Sequence, residues 1–124
     1  MAGLPPAARL RHANDFVALR YARCCWQGRH FLLRWLESPV DRTRLGLAVS
    51  RKVSKRAVER NRIKRVIRES FRAARETLPG FDILVIARTS AAAAPNPALH
   101  GDLGRAWQAL KALKQTPAPG TING

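Results

Sequence analysis

VSRKVSKRAVERNRIKRVIRESFRAAR, Val49 to Arg75, is the stretch on which the rest of the chain depends. From Arg51 to Arg75 it holds 11 of the 23 lysines and arginines of the 124-residue chain, against Glu59 and Glu69 alone. Taken as a helix from about Arg56 to Thr77, at about 100° per residue, it has two arcs. Ile63, Val66, Ile67, Phe71, Ala74 and Leu78 fall on one, and Asn61, Lys64, Arg65, Arg68, Arg72 and Arg75 on its neighbour. A solvated helix face interleaves signs, with Glu four residues ahead of Lys or Arg. Here cations face cations, and their repulsion costs stability until a polyanion neutralises it. One arc suits a core and the other suits phosphate.

Strands flank this helix. Arg44 to Ser50 leads into it, with Gly46, Ala48 and Ser50 on one face. Small side chains there leave room for something to lie against the sheet, although glycine in a strand also marks a bulge or close helix packing. Pro79-Gly80 stops the helix, and Phe81 to Arg88 follows as a nearly continuous apolar strand, which fits a central place in a sheet. Upstream, Arg29 to Ser38 alternates, with Phe31, Leu33 and Trp35 on one side and His30, Leu32, Arg34 and Leu36 on the other. That period of two is a half-buried strand; whether Gln27 to Leu36 is one strand or two stays open.

A short helix, NDFVALRYARCC, is expected from Asn14 or Asp15 as its cap, with Phe16 and Arg20 on one face. Composition alone makes Phe16 a core residue. Ser90 to Asn96 reads as a loop of little content, and Pro97 fits the first turn of a last helix carrying Leu99, Leu103, Trp107, Leu110 and Leu113. Residues 1–8 read as a disordered lead-in, 9–115 as a single domain and 116–124 as a disordered tail. The order is α-β-β-(β)-α-β-α, an α+β fold in which helices pack on one sheet as a two-layer sandwich. General rules make the crossover through the central helix right-handed.

A formal charge of +15 and a pI near 11.7 sit on a chain with 46% hydrophobic residues, enough to fold. A small, folded, very basic domain points to nucleic acid. An anionic membrane surface would want Trp, Phe and Leu opposite the cations, and the central helix offers the small and β-branched residues of a packed core. No run approaches the roughly 18 apolar residues of a membrane span, and Met1 to Ala8 lacks signal-peptide character, so a cytoplasmic protein is expected. Adjacent Cys24 and Cys25 are read as thiols, since a disulfide between neighbours is strained. His12, His30 and His100 have no metal-ligand spacing.

A protein nuclease needs clustered carboxylates or a His-based acid/base pair. The eight acids, Asp15, Glu37, Asp41, Glu59, Glu69, Glu76, Asp82 and Asp102, are spread mostly one per element, and no glycine-rich phosphate loop precedes the helix. The residues describe a binder, with no catalytic side chain and no metal held by the protein alone.

The run Arg60-Asn61-Arg62-Ile63-Lys64-Arg65, with Arg68, Glu69, Phe71 and Arg72 after it, resembles the RNR motif of the bacterial ribonuclease P protein subunit. Arg44 to Lys52 is similar to the strand that enters that motif in the family, and Asp82 to Arg88 to the strand that leaves it; the likeness runs from about Arg9 to Gln115. It implies a left-handed crossover, in a fold like one domain of a ribosomal protein, against the general rule. It implies a subunit of an RNA-catalysed, magnesium-dependent endoribonuclease that removes the 5′ leader of precursor tRNA. The ions are bound mainly by the RNA, and the protein, inactive alone, binds catalytic RNA and leader in a one-to-one complex, with no role for membrane or DNA. Carried onto this chain, Arg60, Asn61, Arg62, Lys64, Arg65 and Arg68 would face the catalytic RNA, Arg60 reaching across the sheet end. Phe16, Arg34, Lys52, Ile86 and Arg88 would line the leader cleft.

There are departures. Arg20 and Arg34 stand where family members often carry aromatic rings, which favours phosphate contacts over stacking. Ser54-Lys55-Arg56 replaces a Gly-Asn turn common in some members. Two other readings stay open: a ribosomal-type structural RNA binder without a role in cleavage, and a helix-turn-helix DNA binder, which would not want strands around its basic helix.

Overall fold

The computed structural model describes residues 8–10, 13–38, 42–78, 80–113 and 120–123, with the backbone alone for 13–15 and 120–123. In chain order the elements are α1 (Ala13–Arg20), β1 (Cys24–Gln27), β2 (Phe31–Glu37), β3 (Arg44–Ala48), α2 (Ala57–Ala74), β4 (Phe81–Ala87), α3 (Asn96–Leu113) and β5 (Gly120–Asn123). Short 3-10 segments, Arg75–Thr77 and Thr89–Ala93, follow α2 and β4. The sheet order is β3-β4-β2-β1-β5. β2 is antiparallel to both β1 and β4, whereas β3 is parallel to β4 and β1 to β5. The expected α+β sandwich is found, with α2 as the crossover between the parallel neighbours β3 and β4.

Alternation along the strands builds the core. Phe31, Leu33 and Trp35 turn to one side of the sheet, joined there by Leu45, Ile83 and Val85. Ile63, Val66, Ile67 and Phe71 of α2 and Leu99, Leu103, Ala106, Trp107 and Leu110 of α3 close over them in one cluster. The two helices lock together where Phe71 meets Trp107 edge to face, centroids 5.8 Å apart, and where Trp107 Nε1 donates to Ser70 Oγ at 2.8 Å.

The β1–β2 turn is held from α3. Asp102, only 1% exposed, accepts the backbone N–H groups of Arg29 (3.2 Å) and His30 (3.0 Å) and pairs with Arg105 at 2.9 Å. A Cβ on Gly28 would lie 2.2 Å from the Trp26 ring and 2.8 Å from an Asp102 oxygen, so only glycine lets strand and carboxylate approach this closely.

Three expectations are corrected. Cys24 and Cys25 belong to β1, not to the first helix, because four residue pairs with β2 outweigh the local pattern. Ala8, assigned to the lead-in, is fully buried in the core. Within the segment expected to be an untied tail, Gly120–Asn123 runs parallel beside Cys24–Gln27 as an edge strand. The rest of that tail and residues 1–7 lie outside the described residues. No helix among the described residues is long and apolar enough to cross a membrane.

Candidate nucleic-acid interface

β3 and β4 run parallel, so both point their C-terminal ends the same way. The turn from Ser50 to Val53, closed by Val53 N–H to Ser50 O at 3.1 Å, leaves the sheet at that end, as does Arg88. Arg88 N–H bonds to His30 O at 2.8 Å, which brings the start of antiparallel β2 there too. α2 begins directly after the turn. Topology therefore gathers Lys52, Arg88 and the Arg60–Arg62 motif at one end of one sheet.

The apolar arc of α2 behaves as its periodicity predicts: Ile63, Val66, Ile67 and Phe71 are buried. Asn61, Arg65, Arg68 and Arg72 form an exposed stripe on the other side, with Lys64 half-buried beside it. The flanking arginines differ from expectation. Arg60 does not reach across the sheet end; its Nη1 turns back to the carbonyls of Ser54 and Lys55, 3.0 Å each, and holds the loop before the helix. With Arg51, Lys52 and Lys55 it lines a basin of about 450 Å³ whose lining, among the described residues, is wholly basic. Arg62 is drawn inward, donating to Glu59, Ala91, Ala92, Ala94 and Asn96.

The second candidate surface is the sheet face beneath α1. Strand register sets three rows across β3, β4 and β2: Arg44–Asp82–Leu36, Gly46–Leu84–Arg34 and Ala48–Ile86–Leu32. A bidentate pair closes the first row, Arg44 Nε and Nη2 each 2.7 Å from an Asp82 oxygen. α1 covers the second. Leu10, Leu19 and Leu84 are buried there, with Phe16, Leu36, Ala48 and Ile86 half-buried around them. A Cβ on Gly46 would stand 2.7 Å from Phe16 Cε1 and 3.1 Å from Leu10 Cδ1. The room left by Gly46 is thus filled by the Phe16 ring, and close helix packing is what the glycine marks.

The third row, Ala48–Ile86–Leu32, is half-buried and lies at the end of the sheet from which exposed Arg88 and Lys52 emerge. Phe16 stands on its flank, part core and part wall. Arg34 is half-buried, and its Nη1 donates to Ala22 O at 2.9 Å, tying β2 to the turn after α1. Arg20 is exposed. Of the expected cleft residues, Phe16, Arg34 and Ile86 share this face, while Lys52 and Arg88 sit at its end.

Sequence reasoning missed the partners of Arg62. The alanine run taken for an empty loop forms the 3-10 segment Thr89–Ala93, with Ala91 and Ala94 buried. Side chains no larger than methyl let this backbone come close enough to α2 for its carbonyls to meet the guanidinium, and the row of alanines was the available signal.

Residues 4–111 match the family model described as Ribonuclease P. The ribonuclease P protein component of Pseudomonas aeruginosa is 46% identical over 104 residues, covering 78% of this chain and 76% of the relative. That of Pseudomonas putida is 41% identical over 91 residues, covering 73% and 68%. Among solved structures, the Staphylococcus aureus RNase P protein superposes with a TM-score of 0.74 at 29% identity, covering 82% of this chain and 94% of that one. The Thermotoga maritima RNase P protein gives 0.71 at 30%, covering 86% and 98%.

Proposed function

The chain belongs to the bacterial ribonuclease P protein family, and from that premise we propose that it binds the catalytic RNA and the 5′ leader of precursor tRNA. In this reading it assists RNA-catalysed cleavage in the cytoplasm. The observation that carries the proposal is the pairing of two unlike surfaces at one end of the sheet. One is a cationic helix stripe, Asn61, Arg65 and Arg68 with Lys64. The other is the half-buried apolar row Ala48, Ile86 and Leu32, with Phe16 beside it and Arg88 and Lys52 at its end, which in this reading is the floor of a leader trough. Phosphates suit the first, at a cost in affinity that grows with salt. Bases of a single strand suit the second, because every base has an apolar face. Mature tRNA has no leader to fill that trough.

The protein's task is then positioning and charge neutralisation rather than bond-breaking. Among the described residues no three His, Cys, Asp or Glu side chains come together as a metal site. Asp82 is paired with Arg44, Asp102 with Arg105 and Glu59 with Arg62. These acids do not fit a protein-held magnesium site, and in the proposal the ions belong to the phosphates of the RNA.

The test adds the protein to the ribonuclease P RNA and precursor tRNA of its own organism at low magnesium. Leader removal is expected with both components and not with protein alone, and precursor tRNA should be bound in preference to mature tRNA. Cleavage by the RNA-free protein would overturn the proposal. Equal affinity for the two tRNAs would favour a structural RNA-binding protein instead.

A further inference from the structure

Arg62 stands in the middle of the basic motif, yet its charge points into the protein. Nη1 donates to Ala94 O at 3.2 Å and Asn96 Oδ1 at 2.7 Å, and Nη2 to Glu59 Oε1 at 3.1 Å, Ala92 O at 3.1 Å and Ala91 O at 3.5 Å. The two terminal nitrogens carry four N–H groups between them, so five acceptors leave no pair of donors for a bidentate grip on phosphate. Four of those acceptors belong to the connection between β4 and α3 or to the first residue of α3. That connection starts at Arg88, to whose carbonyl Ala91 N–H is bonded at 3.0 Å; the next link is Ala94 N–H to Ala91 O at 3.2 Å. One side chain of α2 therefore holds the segment that carries Arg88, two residues beyond Ile86 on the trough floor.

We infer that Arg62 is a positioning residue: it clamps the β4–α3 connection to α2 and so fixes the Arg88 end of the leader trough relative to the stripe that faces the catalytic RNA. The inference rests on the proposed function and adds to it a division of labour inside the basic motif. Asn61, Lys64, Arg65 and Arg68 meet RNA, whereas Arg62 sets the geometry between two RNA-facing surfaces without touching either RNA.

The test compares wild type with Arg62→Ala, Arg62→Lys and Asn96→Ala, using Arg65→Ala as the reference for removal of a phosphate ligand. Three quantities are read: the salt slope of binding to the catalytic RNA, the precursor-to-mature affinity ratio of the assembled enzyme, and hydrogen exchange of the Ala91 and Ala94 amides in the protein alone. Arg62→Ala should lower the ratio about five- to tenfold, the scale of losing one stacked base from a single-strand site. It should leave the salt slope at the wild-type value and speed exchange at both amides. Arg62→Lys keeps the charge but cannot span five acceptors, so it should follow Arg62→Ala. Asn96→Ala, which loses one acceptor, should follow more weakly.

A slope reduced by roughly 0.7 to 0.9 in Arg62→Ala, as when one phosphate is no longer neutralised, with an unchanged ratio would overturn the inference. So would a wild-type ratio in Arg62→Lys, or a lower melting temperature with the ratio intact. Should Arg62→Ala fail to fold, the other two variants make the same comparison. Should the wild type itself show no preference for precursor tRNA, the proposed function falls, and the exchange rates still decide whether the clamp exists.

Discussion

The two faces of the sheet are made from the same strands and have opposite fates. Beneath α2 and α3, Phe31, Leu33, Trp35, Ile83 and Val85 are sealed into a continuous core. One residue along each strand the side chains turn over, and there the described cover is the short α1 with Leu10 ahead of it, burying Leu10, Leu19 and Leu84 and leaving Ala48, Ile86 and Leu32 half-covered. The difference comes from the area of cover, not from hydrophobicity, since Ile86 is as apolar as Ile83. A face that is apolar and incompletely covered is one where a ligand with its own apolar surface can complete the burial.

The largest effects should separate the faces most sharply. Phe71→Ala removes a fully buried ring that meets Trp107 and should cost roughly 3–5 kcal/mol. Ile86→Ala on the open face should cost about 1–2 kcal/mol while reducing the preference for precursor tRNA. Chemical denaturation measures both, and equal losses would mean that α1 seals its face as thoroughly as the two long helices seal theirs.

Gly46 tests the boundary between packing and trough. Gly46→Ala places a methyl 2.7 Å from Phe16 Cε1; the half-exposed ring can swing away, so the expected cost is roughly 1–3 kcal/mol. Because the tightest contact is with the Phe16 ring and Leu10 adds only a lesser one, Phe16→Ala and Gly46→Ala should not be additive, and the double variant should lose less than the sum of the singles. Strict additivity would place the clash elsewhere. In assembled enzyme, the displaced ring should also lower the preference for precursor tRNA.

The exposed stripe belongs to neither face, and substitutions there should leave the fold alone. Arg65→Ala combined with Arg68→Ala should change stability by less than about 0.5 kcal/mol, because alanine is the best helix former. The salt slope of RNA binding should fall by roughly 0.7 to 0.9 for each phosphate left without its arginine. An unchanged slope would make the stripe a merely solvated surface.

What the sequence disclosed follows from the range of the interactions. The buried face of α2 and the alternation of β2 were legible because each is periodic within its own element. Gly46 was half legible: its small size announced a close approach, but the partner, Phe16, lies 30 positions earlier in the chain. The roles of Arg60 and Arg62 were not legible, since a long side chain in a basic run reads as one more cation until the carbonyls it meets are known. Nor was β5, four residues that pair with β1 across 96 positions of the chain. The β1 cysteines were misread for the same reason, because their strand exists through its partner β2.

The smallest expected effect uses those cysteines, adjacent in sequence and turned to opposite faces. Cys24 lies in the core cluster beneath the long helices, while Cys25 stands in the row of Gly46, Leu84 and Arg34. Burial, and secondarily electrostatic repulsion from the neighbouring Cys25, push the Cys24 pKa above the ordinary thiol value. Below that ordinary value both folded and unfolded chains keep the proton, and the stability contribution is fully present. As pH rises through the ordinary value the unfolded chain loses its proton first, so stability declines until the raised folded pKa is passed. Cys24→Ala removes this dependence and leaves the other titrations in place. The stability advantage of wild type over the variant should therefore shrink from neutral to alkaline solution in urea titrations under reducing conditions. An advantage that stays constant across that range would show that the Cys24 side of the sheet is more open to water than the contrast between the two faces requires.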